Sequence, residues 1–374
     1  MRVLGAKPPG PSFFRYHSKV IIRQATYADK PAIFEFLETA YAGRSEFKFP
    51  HRWEWAYETN PYLPGDAPPV WIAVAPDGRV IGQSAALVEP LVVDGAEYRV
   101  GWGVDFFVLP EYRGQGLGKQ LQAANNAGNE VFMSLSMAES AAGIKRGLGL
   151  EPLPEVDVYS RILHHDPDSV RETLARRYRW MPPGLAESLS KPAARLLTKR
   201  SRPRQLTPPP SLQVRREPHF SEAFDRLWAR LGGEYRALVR RDARYLTWKF
   251  KHQPHVQHEI LGGYRDGNLS GYAVLRRASP PERDAGVLVD LFTEPTDRAV
   301  TTLLLEAALQ RFWELEVTFV TAASSAPHLR DALFTAEFKE SKTVTPLARA
   351  PFSLPGEGWL LGKGDHDWDQ YPLA

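Results

Sequence analysis

Apolar positions along the chain switch between a period of two and a period near 3.6, and each switch marks an element. Val20 to Arg23 is a short β-branched run that predicts a first strand. From Ala32 to Tyr41 the apolar residues Ile33, Phe34, Leu37 and Tyr41 fall on one face of an amphipathic helix. Arg52 to Tyr57 reads as an aromatic helix stopped before Asn60-Pro61. Val70 to Ala75 and Val80 to Val88 alternate around Asp77-Gly78, a hairpin signal, and Asp94-Gly95 joins Leu91–Val93 to Tyr98–Val100 in a second one. A strand at Val104 to Val108, a helix at Lys119 to Ala127, a strand at Val131 to Met137 and a helix from Ala141 to Leu148 closed by Gly149 follow. Between Asp166 and Pro210 the strand pattern lapses, leaving two short helices, Arg171 to Trp180 and Leu185 to Leu197, around Pro182-Pro183. The alternation of strands and helices predicts an α/β (α+β) fold.

The second half repeats the first in register. Trp55, Tyr57 and Pro61 match Trp248, Phe250 and Pro254 with the same spacing. Asp77-Gly78 and Gly82 match Asp266-Gly267 and Gly271, and Val104-Asp105, Phe107, Pro110 and Arg113 match Val289-Asp290, Phe292, Pro295 and Arg298. Matches in the same order predict a duplicated fold. The expected organisation is a loose arm at 1–18, a first domain at 19–165, a basic Pro-rich linker at 166–210 and a second domain with a tail at 211–374.

Composition narrows the chemistry. At 374 residues, with 43% hydrophobic and 24% charged side chains, the chain is globular and long enough for two domains. It has no cysteine, which excludes disulfides, thiolate metal sites and a cysteine nucleophile. Its ten histidines include no H-x-x-x-H pair with a companion glutamate, so no metal is expected. No apolar run approaches a membrane span and Met1 to Ser18 has no apolar leader, so the expectation is a cytoplasmic protein. The net charge is only +3, and no DNA partner is expected. Residues 166–210 nevertheless carry ten Lys/Arg against four acids, with Leu185, Leu189 and Leu196 among them. That segment is either a solvated linker or a surface for an anionic membrane, an acidic partner or RNA.

The stretch Val104 to Lys119 runs from an apolar strand through a Pro-marked turn into Gly114, Gly116 and Gly118, just where a helical pattern begins. Alternate glycines let successive N–H groups approach an anion, and the helix that follows turns its positive end to the same spot. The spacing fits neither the dinucleotide fingerprint nor the P-loop. Arg113 to Gly118 instead resembles the acyl-CoA loop of the GNAT acyltransferase superfamily, Arg/Gln-x-x-Gly-x-Gly/Ala, at Arg113, Gly116 and Gly118, with Gly114 as its common extra glycine. The Phe106 to Leu109 strand and the Pro-Glu-Tyr lead-in are similar too.

The resemblance implies two tandem GNAT-like domains, each a mixed, mostly antiparallel central sheet flanked by helices. It implies acetyl-CoA or another acyl-CoA as co-substrate and an amine, or less readily a hydroxyl, of a small molecule, sugar or peptide as acceptor. The pyrophosphate would lie on the amides of Gly114, Gln115, Gly116, Leu117, Gly118 and Lys119, with Arg113 adding charge, and the pantetheine along the backbone of Phe107, Val108 and Leu109. The family often uses a tyrosine acid four residues before a Gly-Phe pair. Here the pair is Gly149-Leu150, and the residue four back is Lys145, either a buried acid or an exposed helix lysine. Asp105 is the nearest strand carboxylate and a candidate base through water, but its survival as Asp290 favours a structural role. Glu89 ranks behind it, and Ser134, Ser136 and Glu139, at the end of the following strand, are comparable candidates. Trp53, Trp55, Tyr57 and Phe49 are either an acceptor pocket or core. The second copy has Ala299, Thr301 and Leu303 in place of the glycines, so cofactor binding is expected in the first copy alone. Two other readings stay open, a non-catalytic acyl-CoA-binding protein and an aminoacyl-tRNA-dependent transferase with the basic linker on RNA.

Overall fold

A computed structural model describes residues 20–135, 139–278 and 284–369. The loose arm expected at 1–18 lies outside the described residues. The first half runs β1 (Ile21–Gln24), α1 (Lys30–Ala40), α2 (His51–Tyr57), β2 (Val70–Val74), β3 (Val80–Val93), β4 (Ala96–Val108), α3 (Leu117–Ala127), β5 (Val131–Ser134), α4 (Glu139–Arg146) and β6 (Glu151–Pro152). Strand β7 (Val156–Ile162) leads to α5 (Pro167–Arg177) and α6 (Pro183–Arg200). The second half runs β8 (Leu212–Glu217), α7 (Glu222–Leu231), β9 (Ala237–Val239), α8 (Ala243–Leu246), β10 (His258–Arg265), β11 (Asn268–Ala278) and β12 (Ala285–Thr293). It continues through α9 (Arg298–Glu314), β13 (Phe319–Ser324), α10 (Pro327–Thr335), β14 (Lys339–Val344), β15 (Leu347–Arg349) and β16 (Trp359–Leu360).

The chain builds two mixed, mostly antiparallel sheets whose parallel neighbours are β4 with β5 and β9 with β16 in the first and β12 with β13 in the second. Both hairpins expected in the first half are present, β2 with β3 around Asp77-Gly78 and β3 with β4 around Asp94-Gly95, and they share the single long strand β3. Pro90 lies within β3 opposite Arg99, and its carbonyl accepts the Arg240 N–H at 2.9 Å. The basic linker is helical as α5 and α6, longer than the sequence pattern suggests. Its outer face leaves Leu185, Leu189 and Leu196 exposed, with Trp180 at 75% exposure.

The last strands are exchanged between the halves. The first sheet is ordered β1-β2-β3-β4-β5-β15-β6, and the second β14-β7-β13-β12-β11-β10-β8. Strand β7, which falls within the first domain expected at 19–165, inserts between β13 and β14 of the second sheet. Strand β15 fills the matching slot between β5 and β6. Past β16 the chain stays buried between the halves. Asp365 reaches Arg241 at 3.2 Å, Asp367 reaches Arg52 at 3.0 Å and Asp369 reaches His258 at 3.0 Å.

Candidate active site

Helix α3 starts where it does because Gly116 sits at φ 78°, in the left-handed region, just after Gly114 at φ 77°. No side chain caps the helix, so its first-turn N–H groups face outward and are open to an anion. Gly118 is held close to strand β4: a Cβ there would come within 3.2 Å of Phe106 Cζ. The loop and strand enclose a groove of about 460 Å³ lined by Phe106, Phe107, Arg113, Gly116, Lys119 and Ile144, among others. Gly114 and Val108 also line it, whereas Gln115 is exposed at the tip. Leu117 turns into the core, and Leu109 is buried beside it. Arg113 does more than add charge: its Nε donates to the Val108 carbonyl at 2.9 Å, and its guanidinium lies 5.1 Å from the Phe107 ring centre. It ties the loop to the end of the strand.

Strands β4 and β5 pair only at Val100–Trp102 with Val131–Met133 and then separate. At the separation stands Lys145, which the structure buries at 4% exposure rather than leaving on the helix surface. It falls on the inward face of α4 with Ala142, three residues earlier. Its Nζ donates to Ser134 Oγ at 2.5 Å and lies 5.6 Å from the Phe132 ring centre. Burial pulls its pKa down to about 8. Among the described residues no carboxylate lies within ion-pair reach of it. Gly103 makes the room: a Cβ there would lie 3.0 Å from Lys145 Nζ and 2.9 Å from Phe132 Cζ. No sequence signal pointed to Gly103. Ser136 lies outside the described residues, as does the side chain of Glu139.

Asp105 is drawn away from this cleft. It occupies a bulge of β4 at φ 50°, buried, with Lys48 Nζ at 2.7 Å, Arg52 Nη1 at 2.5 Å and the Tyr57 hydroxyl at 3.1 Å. Burial pushes its pKa up, but Arg52 and Lys48 outweigh that and hold it at about 2. Its repeat partner Asp290 has the same kind of company, Arg241 Nε at 3.1 Å and the Tyr272 hydroxyl at 2.7 Å. Glu89 is likewise consumed, by Lys249 Nζ at 2.6 Å. Trp53, Trp55 and Tyr57 are core, with Phe49 packed against it. Among the described residues no group of three or more His, Asp or Glu gathers as metal ligands.

The second copy closes both features that the first leaves open. Helix α9 begins one turn earlier, and the Asp297 carboxylate accepts the Val300 N–H at 3.1 Å where an anion would otherwise sit. Thr301 hydroxyl bonds to that of Thr293 at 2.7 Å. The gap between β12 and β13 is filled by the chain's own tail: Ser324 bridges Gly362, and the Ser325 N–H donates to Leu361 O at 3.0 Å. What remains there is a void of about 20 Å³.

The model of the acetyltransferase (GNAT) family matches residues 31–128. Among solved structures, a probable N-acyltransferase from Enterococcus faecalis is similar at 14% identity and a TM-score of 0.53, over 89% of this chain and 72% of its own. The N-myristoyltransferase of Saccharomyces cerevisiae with bound myristoyl-CoA is similar at 11% identity and 0.55, over 93% and 89%. A tandem GNAT protein from the clavulanic acid biosynthesis pathway is similar at 16% identity and 0.50, over 88% and 98%. At these identities the likeness is one of fold. No curated protein matches the sequence. The glycine loop falls inside the residues 31–128 that match the acetyltransferase (GNAT) family model, and as a whole the chain has a tandem GNAT-type fold.

Proposed function

We propose that the protein transfers an acetyl or other acyl group from acyl-CoA to an amine, or less readily a hydroxyl, of a small-molecule, sugar or peptide acceptor, using the first copy alone. The observation that carries this reading is the contrast between the copies. One helix N-terminus is uncapped beside an open cleft, and the other is capped by Asp297 beside a cleft filled by the tail. A cytoplasmic location belongs to the same proposal; among the described residues no helix is long and apolar enough to cross a membrane.

In this reading the amides from Gly114 to Lys119 hold the pyrophosphate, and the backbone of Phe107, Val108 and Leu109 orients the pantetheine. An acyl-CoA supplies the activated thioester carbonyl. The acceptor nitrogen forms a bond to that carbonyl carbon, and the carbon–sulfur bond breaks. Lys145, as the ammonium, gives a proton to the departing sulfur, and the nitrogen's surplus proton leaves to water. With its pKa near 8, Lys145 is a stronger acid than an ordinary lysine and recovers its proton readily at neutral pH. Ser134 keeps the Nζ aimed. Asp105, in its ion-pair cluster, holds the bulge of β4 in shape.

Gly116→Val is expected to abolish CoA binding without unfolding the protein. A Cβ there meets only Gln120 Nε2 at 3.9 Å, but φ 78° and a branched side chain deform the loop. Thr301→Gly should leave turnover alone. Unchanged CoA affinity of Gly116→Val by calorimetry would overturn the reading. Affinity for acetyl-CoA without thiol release across an amine panel would favour the non-catalytic binder.

For the basic hairpin α5–α6 an anionic membrane surface is the better proposal than RNA. Leu185, Leu189 and Leu196 share one exposed face of α6, and Trp180 is exposed before it. Flotation with phosphatidylglycerol vesicles, lost in Leu185→Ser/Leu189→Ser, supports the membrane. Salt-dependent tRNA affinity indifferent to those leucines would restore the RNA reading and, with it, an aminoacyl-tRNA-dependent transferase.

A further inference from the structure

An open cavity lies beside the second sheet, lined by none of the residues of the groove in the first copy. Its floor is the face of β7 that carries Val158, Ser160 and Ile162, together with Phe319 and Thr321 of β13. The opposite face of β7 is fully used: Tyr159 packs edge-on against Phe334 of α10, and Arg161 donates to the Ala336 carbonyl at 2.7 Å. Helices α5 and α6 stand over the floor without packing down on it, contributing Val170, Leu174 and Leu197 to the wall. The enclosed volume is about 740 Å³, well within the range of small-molecule sites. Ile162 is 52% exposed on a strand, which is what an absent apolar partner leaves behind.

A single buried cation marks one end. Lys363, from the tail, lines the cavity at 4% exposure. Its Nζ lies 4.7 Å from the Trp368 ring centre and makes no hydrogen bond or ion pair among the described residues. The charged groups nearest it are Lys342, Arg276 and Asp369, and Asp369 is already held by His258 at 3.0 Å. Burial, helped by Lys342, pulls the Lys363 pKa down to about 8, so at neutral pH the group is still mainly an ammonium without a counter-ion. A desolvated cation with apolar walls beside it is stabilised by an anion that brings its own apolar body.

We propose that this cavity binds an amphiphile with one anionic head, its chain lying along Val158, Ile162, Phe319 and Leu174 and its head against Lys363 Nζ. A carboxylate and a phosphate monoester share that chemistry, and the test separates them. The site is independent of the groove in the first copy and of the acyl-transfer reading.

Decanoate, decyl phosphate and 1-decanol are titrated calorimetrically into the full-length protein and into Lys363→Met, Lys363→Arg and Ala193→Trp. Ala193 lies on the cavity wall, so a tryptophan there fills the space. Lys363→Met removes an unpaired buried charge and should fold; retained CoA affinity checks that it has. Binding of at least one of the two anions, weakened tenfold or more by Lys363→Met, kept by Lys363→Arg and abolished by Ala193→Trp, supports the site, and the tighter anion names the head. The decanol should not distinguish wild type from Lys363→Met. As a measurement that needs no variant, the bound anion should protect Lys363 from acetic anhydride, read by mass spectrometry. No binding of either anion, equal affinity in Lys363→Met, or an unprotected Lys363 would overturn the proposal.

Discussion

Trp55 and Trp248 stack with ring centres 4.9 Å apart and planes at 10°, and each indole N–H donates to the other residue's backbone carbonyl, at 2.9 Å and 3.2 Å. The two are equivalent positions of the repeat, so the contact is reciprocal. It is the point at which the halves recognise each other. Trp248→Ala removes a buried ring and the indole N–H that donates to the Trp55 carbonyl, and should lower stability by about 3–5 kcal/mol in equilibrium urea unfolding. The unfolding should stay a single transition, because both halves lose the same contact.

Lys145→Met tests acid catalysis and a cost in stability together. The folded pKa of Lys145, about 8, lies below its ordinary value of 10.5. The ammonium therefore opposes folding fully below pH 8, and the penalty fades as pH rises towards 10.5. At pH 7 the variant should be more stable than wild type by up to ~3 kcal/mol, with the gain disappearing above pH 10. Its kcat should fall by about 10²–10⁴ and lose the alkaline limb of the pH–rate profile. A variant that was both inactive and less stable would contradict this account.

Gly103→Ala should separate binding from chemistry. The new methyl would stand 3.0 Å from Lys145 Nζ and 2.9 Å from Phe132 Cζ. It should displace the lysine and lower kcat while CoA affinity, set by the loop beyond, stays near wild type. Steady-state kinetics alongside CoA calorimetry reads both.

Asp105→Asn should destabilise by about 3–5 kcal/mol, since Lys48 and Arg52 are left buried without their anion. The wild-type carboxylate has a folded pKa of about 2, below the ordinary 3.8. It contributes about 2 kcal/mol above pH 4, and this is lost as pH falls through 2. The stability gap between wild type and variant should therefore narrow by about 2 kcal/mol as pH falls through 2.

The strands, the helices and the phosphate loop were legible because each is written locally, in period, turn residues and glycine spacing. Trp55 and Trp248 could be matched by spacing but not seen to touch. Lys145 was readable as an oddity, a lysine before Gly149-Leu150, yet its burial depends on Gly103, 42 positions away in the chain. Asp365, Asp367 and Asp369 carry no periodic signal at all, because a buried irregular tail is specified by partners from both halves. The exchange of β7 and β15 was equally hidden: either sheet accepts an apolar strand of that length, and only the three-dimensional slot decides which.

That exchange sets a rule for how such a chain can be divided. A cut in the linker near residue 165 would deliver each piece with a closing strand shaped for the other sheet and an unfilled slot in its own. Two such fragments mixed together should rebuild one molecule, whereas either alone offers an exposed strand edge and a ready route to self-association. The duplicated unit has thereby ceased to be a heritable module: the copies can diverge in sequence, one leaving its helix N-terminus open and the other capping it, but they can no longer part.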